Sequence, residues 1–249
     1  MRLTRTKLGP LNCTCVDADM TGAKPTQVVV LCHGVNAPGD DLVGIGEELL
    51  QLAPPLAKTT RFYFPAGLYD SAEFGMPGGR AWWEINWGSF GVMMNSGDYS
   101  PMYTAHPPGL DEARAALEAC LADIFKETGL DASSLVLGGF SQGAMLTTDT
   151  VLRMQGNPAA LAVLSGSMLC QAEWQKLALN HKGLNVLQSH GRQDPVLPFG
   201  GAELLRDLLK GAGAKVEFIP FNGEHGIAFE VIQKLAALIT KAAERKGAK

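Results

Sequence analysis

Ser141 stands at the centre of Gly139-Phe-Ser-Gln-Gly143, with the apolar run Leu135–Leu137 ahead of it and the Gly- and Pro-free stretch Ala144–Met154 behind it. A buried strand that turns sharply into a helix presents the serine at its apex, and glycines two residues to either side keep the neighbouring chain from colliding with it. A serine hydroxyl is a poor nucleophile until a base takes its proton, and the base needs an acid to orient it. On an elbow of this type the acid and then the histidine follow the serine along the chain. Of the five histidines, His33 and His106 precede Ser141, and His190 sits at a strand end where it serves equally well as a loop anchor. His181 lies in a plain polar setting, whereas His225 lies in Asn222-Gly-Glu-His-Gly-Ile227, a glycine-flanked loop before the closing helix.

The acids between Ser141 and His225 narrow in the same way. Asp149, Glu203 and Asp207 fall within helical stretches, where solvated faces account for them, and Glu217 falls in a strand. Glu224 adjoins the base and reaches its ring awkwardly, and Glu173 carries no loop signal. Asp194 lies just past a strand, in His190-Gly-Arg-Gln-Asp194 followed by Pro195-Val-Leu-Pro198, and the two prolines stiffen that loop. A simple Asp-Pro turn is the plain alternative. An oxyanion formed on attack needs two preset N–H donors. Gln142, next after the nucleophile, offers one, and Val35, in the His33-Gly34-Val35 turn after the first buried strand, offers the other.

These residues need a frame. Leu11–Val16, Val28–His33, Arg61–Pro65, the elbow strand, Ala160–Leu164, Asn185–Ser189 and Val216–Pro220 read as strands. Asp41–Leu52, Leu110–Thr128, Ala144–Met154, residues near Gly201–Leu209 and Ala228–Glu244 read as helices. The alternation predicts a mostly parallel sheet with helices on both faces, in one domain spanning residues 1–249. The segment 86–108 fits neither a long helix nor a regular strand. It carries Trp87, Phe90, Met93, Met94, Tyr99, Met102 and Tyr103, with Gly88, Gly91 and Gly97 between them. Two readings stand: an insertion packing its own apolar residues on the sheet edge, or a cap beside Ser141 lining a substrate pocket.

Composition excludes several classes. At 46% hydrophobic and 18% charged, with a net charge of −4, the chain suits a buried core rather than disorder, and nucleic acid is not an expected partner. The basic residues from Lys241 to Lys249 suit a helix C-terminus. Nothing reads as a signal peptide, and no apolar run is long enough to span a bilayer. Five cysteines, an odd number without metal-site spacing, read as free thiols in a reducing, cytoplasmic setting. The histidines and cysteines show no zinc-like ligand spacing, so no metal and no cofactor are expected.

Taken together, Leu31-Cys-His-Gly34, the Ser141 elbow with its Gln142, the Asp194 loop and Gly223-Glu-His-Gly226 resemble the phospholipase/carboxylesterase family of α/β-hydrolases, a group that includes the acyl-protein thioesterases. The resemblance covers roughly residues 26 to 240. It implies an α/β-hydrolase fold, a Ser141–Asp194–His225 triad and an oxyanion hole from Val35 and Gln142. Arg80-Ala-Trp-Trp-Glu84 is similar to the family's tryptophan-containing segment near the acyl site, which brings Trp82, Trp83, Trp87 and Met94 forward as pocket residues. Cys32 and Asn36 depart from the family's usual Leu and Gly, and the segment after Glu84 is longer than in compact members. The implied activity is hydrolysis of short- to medium-chain carboxylic esters or thioesters through an acyl-enzyme. The alternatives are a dienelactone-hydrolase-like lactonase, which usually carries Cys at the elbow, and a non-catalytic binding protein on the same fold.

Overall fold

The computed structural model describes residues 2–17, 24–72 and 75–247. Its frame is an eight-stranded sheet. In chain order the strands are β1 (Arg2–Leu8), β2 (Leu11–Asp17), β3 (Gln27–Cys32), β5 (Thr60–Pro65), β8 (Leu135–Phe140), β9 (Ala160–Leu164), β10 (Asn185–Gly191) and β11 (Lys215–Phe221). Their spatial order is β1-β2-β5-β3-β8-β9-β10-β11. The pairs β1/β2 and β2/β5 are antiparallel and all the others parallel. Every residue of β3 is buried, because alternate side chains serve two cores. Val28, Val30 and Cys32 face one of them; Val29 and Leu31 face the other.

The first core is closed by α4 (Leu110–Thr128), α5 (Gln142–Arg153), α6 (Gln171–Leu177) and α7 (Phe199–Gly211), and the second by α1 (Val43–Leu52) and α8 (Phe229–Gly247). Helix α4 shows why these segments coil. Leu110, Ala113, Leu117, Leu121 and Ile124 fall on one buried face, Asp111 and Glu112 occupy its first turn, and glycines bracket it. The mostly parallel sheet and the flanking helices agree with the sequence reading. Lys249 and the side chain of Lys246, parts of the basic C-terminal stretch, lie outside the described residues.

Three parts differ from the sequence reading. Residues 2–8 form an edge strand, charged and largely exposed, so no apolar alternation marks it. Short strands β4 (Ala37–Pro38), β6 (Tyr69–Asp70) and β7 (Gly79–Ala81) make a second small sheet. The 86–108 segment holds two helices, α2 (Trp87–Ser96) and α3 (Ser100–Thr104). Gly97 ends α2 in a left-handed conformation, at φ 71°.

The sheet changes direction at β3. The chain leaves it towards β5 on one side and β8 on the other, so the carboxyl ends of β3 and β8, in register at Cys32 and Gly139, open a crevice. His33 fixes the β3 side of that crevice. Its Nε2 accepts from Gly67 N–H at 2.9 Å, its Nδ1–H donates to Gly34 O at 2.7 Å, and its carbonyl accepts from Trp82 Nε1 at 2.9 Å. The ring is buried and pairs with Trp82 at 5.3 Å between centroids. It is thus a structural anchor of its loop.

Burial lowers the His33 pKa from 6.5 to about 4. Below pH 6.5 the unfolded chain takes a proton that the folded chain refuses until about pH 4, so stability falls with pH across that window. Chemical denaturation at pH 7 and pH 4.5 is expected to show wild type losing about 2 kcal/mol more than His33→Gln does. Equal losses for the two proteins would show that His33 titrates normally.

Candidate active site

The elbow exists because β8 and α5 meet at Ser141 with almost no room. Ser141 takes φ 54° and ψ −118°, a backbone conformation that side chains rarely adopt. A Cβ on Gly143 would strike the carbonyl oxygens of Cys32 and His33, and one on Gly139 would lie 2.5 Å from Gly143 C. Only glycine allows α5 to pass this close to the end of β3. The hydroxyl of Ser141 therefore projects into the crevice beyond the strands.

Ser141 Oγ lies 2.9 Å from His225 Nε2, and His225 Nδ1 lies 2.6 Å from Asp194 Oδ2. The other carboxylate oxygen, Asp194 Oδ1, accepts from the N–H groups of Val196 and Leu197 at 2.8 and 2.9 Å. The loops carrying acid and base are tied directly: Arg192 N donates to Phe221 O and Gln193 N to Gly223 O. Ser165 Oγ donates to Gly226 O at 2.7 Å, and the Phe140 ring lies 4.9 Å from that of His225.

A further histidine supports the acid. His190 Nε2 lies 2.7 Å from Leu197 O, an acceptor only, so this nitrogen carries the proton. The same nitrogen lies 3.2 Å from Asp194 Oδ2, and the opposite Nδ1 is buried without a partner among the described residues. Burial pushes the Asp194 pKa up, but the hydrogen bonds from His190, His225 and Leu197 N–H outweigh it and hold the carboxyl well below the usual carboxylate range. The position of His190 four residues before Asp194 on a strand end was the available signal; which way its ring turns was not.

Val35 and Gln142 both line the cleft with Ser141, and among the described residues neither backbone N–H has a protein partner. A Cβ on Gly34 would lie 3.0 Å from the Phe140 ring and 3.3 Å from Ser141 Cβ, so the turn carrying Val35 is pressed against the elbow. Asn36 accommodates that turn at φ 62°, a left-handed angle that asparagine tolerates.

The Gln142 side chain has its own work. Its Oε1 accepts from Trp82 N at 2.9 Å and its Nε2 donates to Trp83 O at 2.8 Å. The elbow thus grips the backbone that leads into α2. The cleft above encloses about 910 Å³, with Trp83, Trp87, Phe90, Met93, Met102 and Val196 among its apolar walls. Two expected wall residues are elsewhere. Trp82 is buried against His33, where its Nε1 donates to the His33 carbonyl, while Trp83 beside it in the bend lines the cleft. Met94 lies outside the lining and is 46% exposed, on a face of α2 turned away from the cleft.

Two other expectations change. Asp149 is wholly buried rather than solvated, held by Arg114 Nη1 at 2.7 Å, Arg153 Nε at 3.1 Å and Trp174 Nε1 at 2.8 Å. Glu203 and Asp207 are exposed and pair with Arg206. Among the described residues, His106, Cys170 and Glu173 come together as a ligand-sized group. It escapes a spacing argument because His106 and Cys170 are 64 residues apart in the chain. His181 is buried, bonded to Asn157 Oδ1 and Leu152 O, and takes no part in the cleft.

The comparisons with known proteins agree with this architecture. A family model described as Phospholipase/Carboxylesterase matches residues 14–243. Acyl-protein thioesterase 1 of Kluyveromyces lactis is 27% identical over 243 residues, covering 94% of this chain and 98% of that protein. The match to acyl-protein thioesterase 1 of Neurospora crassa is local, 28% identical over 46% of this chain and 49% of the other. The crystal structure of esterase PE8 has a TM-score of 0.74 at 24% identity and covers 97% of this chain and 100% of its own, a likeness of fold. With a large, mostly parallel sheet flanked by helices and a family match across nearly its whole length, the chain belongs to the phospholipase/carboxylesterase family of α/β-hydrolases.

Proposed function

We propose that this chain is a serine hydrolase that cleaves short- to medium-chain carboxylic esters or thioesters through an acyl-enzyme. The observation that carries the reading is the continuous relay Ser141 Oγ–His225–Asp194, at 2.9 and 2.6 Å, opening into an apolar cleft. Ser141 Oγ attacks the substrate carbonyl as His225 Nε2 takes its proton. The ionised Asp194 holds the Nδ1–H tautomer and stabilises the imidazolium. The negative charge on the former carbonyl oxygen is met by the N–H groups of Val35 and Gln142, which need no reorganisation because the turn and the helix start already hold them. Collapse expels the alcohol or thiol, which receives the proton from His225. Water then repeats the sequence on the acyl-enzyme and frees the acid.

The cleft supports an apolar acyl group as the recognised part. Its volume is at the upper end of the roughly 300–1,000 Å³ range of small-molecule sites. The two relatives named above are acyl-protein thioesterases, which favours thioesters as a substrate class alongside esters. The lactonase alternative is disfavoured by serine, rather than cysteine, at the elbow. The binding-protein alternative is disfavoured because all three triad positions are filled and mutually bonded. Five free, buried thiols suit a reducing, cytoplasmic compartment. Among the described residues no helix is long and apolar enough to cross a membrane.

Ser141→Ala is expected to lose at least ~10³-fold in kcat on a nitrophenyl ester while keeping the fold, since only the oxyanion hole and binding remain. An active-site phosphonate is expected to label the wild type one-to-one at Ser141. Wild-type turnover by the alanine variant, or no labelling, would overturn the mechanism.

Because Asp194 stays ionised far into the acid range, its own protonation is expected to contribute nothing to the kcat/KM profile at mildly acid pH. Asp194→Asn is expected to cost far more kcat than Glu224→Gln or Glu173→Gln, with binding of a substrate analogue largely kept. A larger loss in either glutamate variant would reassign the acid.

Trp87→Ala is expected to change the preference among acyl chain lengths and to spare turnover of an acetate ester. Met94→Ala, outside the cleft, serves as the control. A graded ester and acyl-CoA series decides: a loss of stability with no change of preference would make the segment packing rather than pocket.

A further inference from the structure

His106, Cys170 and Glu173 converge beside the cleft from two separate stretches of chain. His106 follows α3 and lines the cleft, Cys170 caps α6, and Glu173 occupies the first turn of α6. His106 Nδ1 lies 3.1 Å from Glu173 Oε1 and 3.7 Å from Cys170 Sγ, and all three donor atoms lie within 4.8 Å of one another. Around a tetrahedral ion with bonds of about 2.0 Å to nitrogen and oxygen and about 2.3 Å to sulfur, neighbouring donors stand roughly 3.3 to 3.6 Å apart. The measured pairs bracket that spacing.

The far side of the ring supplies a second, independent feature. His106 Nε2 lies 3.2 Å from Asp111 Oδ1. With an ion at Nδ1, this carboxylate would hold the proton on Nε2 and free the Nδ1 lone pair for the metal, as metal-binding imidazoles require. Arg153 Nη2 holds Glu173 Oε2 at 2.6 Å, which leaves Oε1 as the ligand atom, and Arg114 Nη2 holds Asp111 Oδ1 at 2.7 Å. The group contains the carboxylates Asp111, Asp149 and Glu173 against the guanidiniums Arg114 and Arg153, an excess of negative charge for a cation to offset. Cys170 is held by its backbone, whose N–H donates to Ala105 O at 3.1 Å.

We propose that His106 Nδ1, Cys170 Sγ and Glu173 Oε1 form a three-ligand site for a divalent transition metal of the zinc class, with a fourth position open to the cleft. Binding replaces the Cys170 thiol proton, which leaves to solvent, and forms one bond from each donor atom to the ion. The ion supplies no step of the ester chemistry. It ties Ala105-His106, the end of the α2–α3 segment, to the start of α6 and so to the body of the molecule. The competing arrangement is a His106 imidazolium paired with Asp111 and Glu173, in which Cys170 has no part.

Titration of the metal-free full chain with Co²⁺ tests the proposal. The expected result is a thiolate-to-cobalt charge-transfer band in the near ultraviolet, saturating at one equivalent and displaced by Zn²⁺. Zn²⁺ affinity is expected to fall at least ~10-fold in Cys170→Ser and again in His106→Gln. The second variant alters a partly exposed side chain, so it keeps the test readable should Cys170→Ser fold poorly. Absence of the band in folded wild type would overturn the site. So would an undiminished band in Cys170→Ser, which would place the thiolate among Cys13, Cys15, Cys32 and Cys120, or an unchanged Zn²⁺ affinity in His106→Gln.

Discussion

Everything in the active region follows from the close approach of α5 to the end of β3. The carbonyl oxygens of Cys32 and His33 press on Gly143, and Ser141 must adopt a left-handed backbone to make the turn. That contact sets three things together: the height of the Ser141 hydroxyl above the sheet, the free N–H at the first residue of α5, and the distance from that N–H to the Val35 turn. None of these is adjustable alone. The local strain is carried by an almost wholly buried frame, since β3 and β8 lie between two cores with only Phe140 partly exposed.

Gln142 extends the same constraint outward. Its backbone opens α5 at the cleft, and its side chain holds the Trp82-Trp83 backbone with one accepted and one donated hydrogen bond. Trp82 then locks to the His33 carbonyl, and Trp83 turns into the cleft. Ser141, the Gln142 N–H and the hydrogen bonds that fix the start of the apolar wall thus sit on two consecutive residues of a single helix start. On the opposite side, Asp194 is held by two backbone N–H groups and two imidazoles, which keep a buried carboxylate charged without a guanidinium or a metal.

The legible parts of the sequence were those where one physical rule dominates. Strands buried on both faces appear as uninterrupted apolar runs, so Val28–Cys32 and Ala160–Leu164 stood out. The helix Leu110–Thr128 carried its own stop signals. The elbow, Asp194 and His225 followed from chain order and loop setting. The remainder depended on facts a linear pattern does not hold. Residues 2–8 form a strand through pairing with β2 and not through apolar alternation. Trp82 and Trp83 are neighbours in the bend that follows β7, and the course of that bend decides which of them meets His33 and which lines the cleft. Asp149 looks like any solvated helix acid until Arg114, Arg153 and Trp174 arrive from other elements. His190 and His106 needed the directions of their rings.

Helix α2 has a consequence for selectivity. None of its ten residues is charged or buried, and Trp87 and Val92, both in the cleft wall, are 43% and 67% exposed. The wall therefore runs out to solvent without a steric stop. A rigid end wall would act as a ruler, admitting chains up to one length and rejecting the next. An open apolar wall acts as a slope: each further methylene that lies along it gains at most about 0.8 kcal/mol, roughly fourfold in binding, and the gain shrinks as the chain passes Val92 into water. Discrimination between neighbouring chain lengths on such a surface is gradual, and it is set by the apolar area that α2 offers rather than by fit.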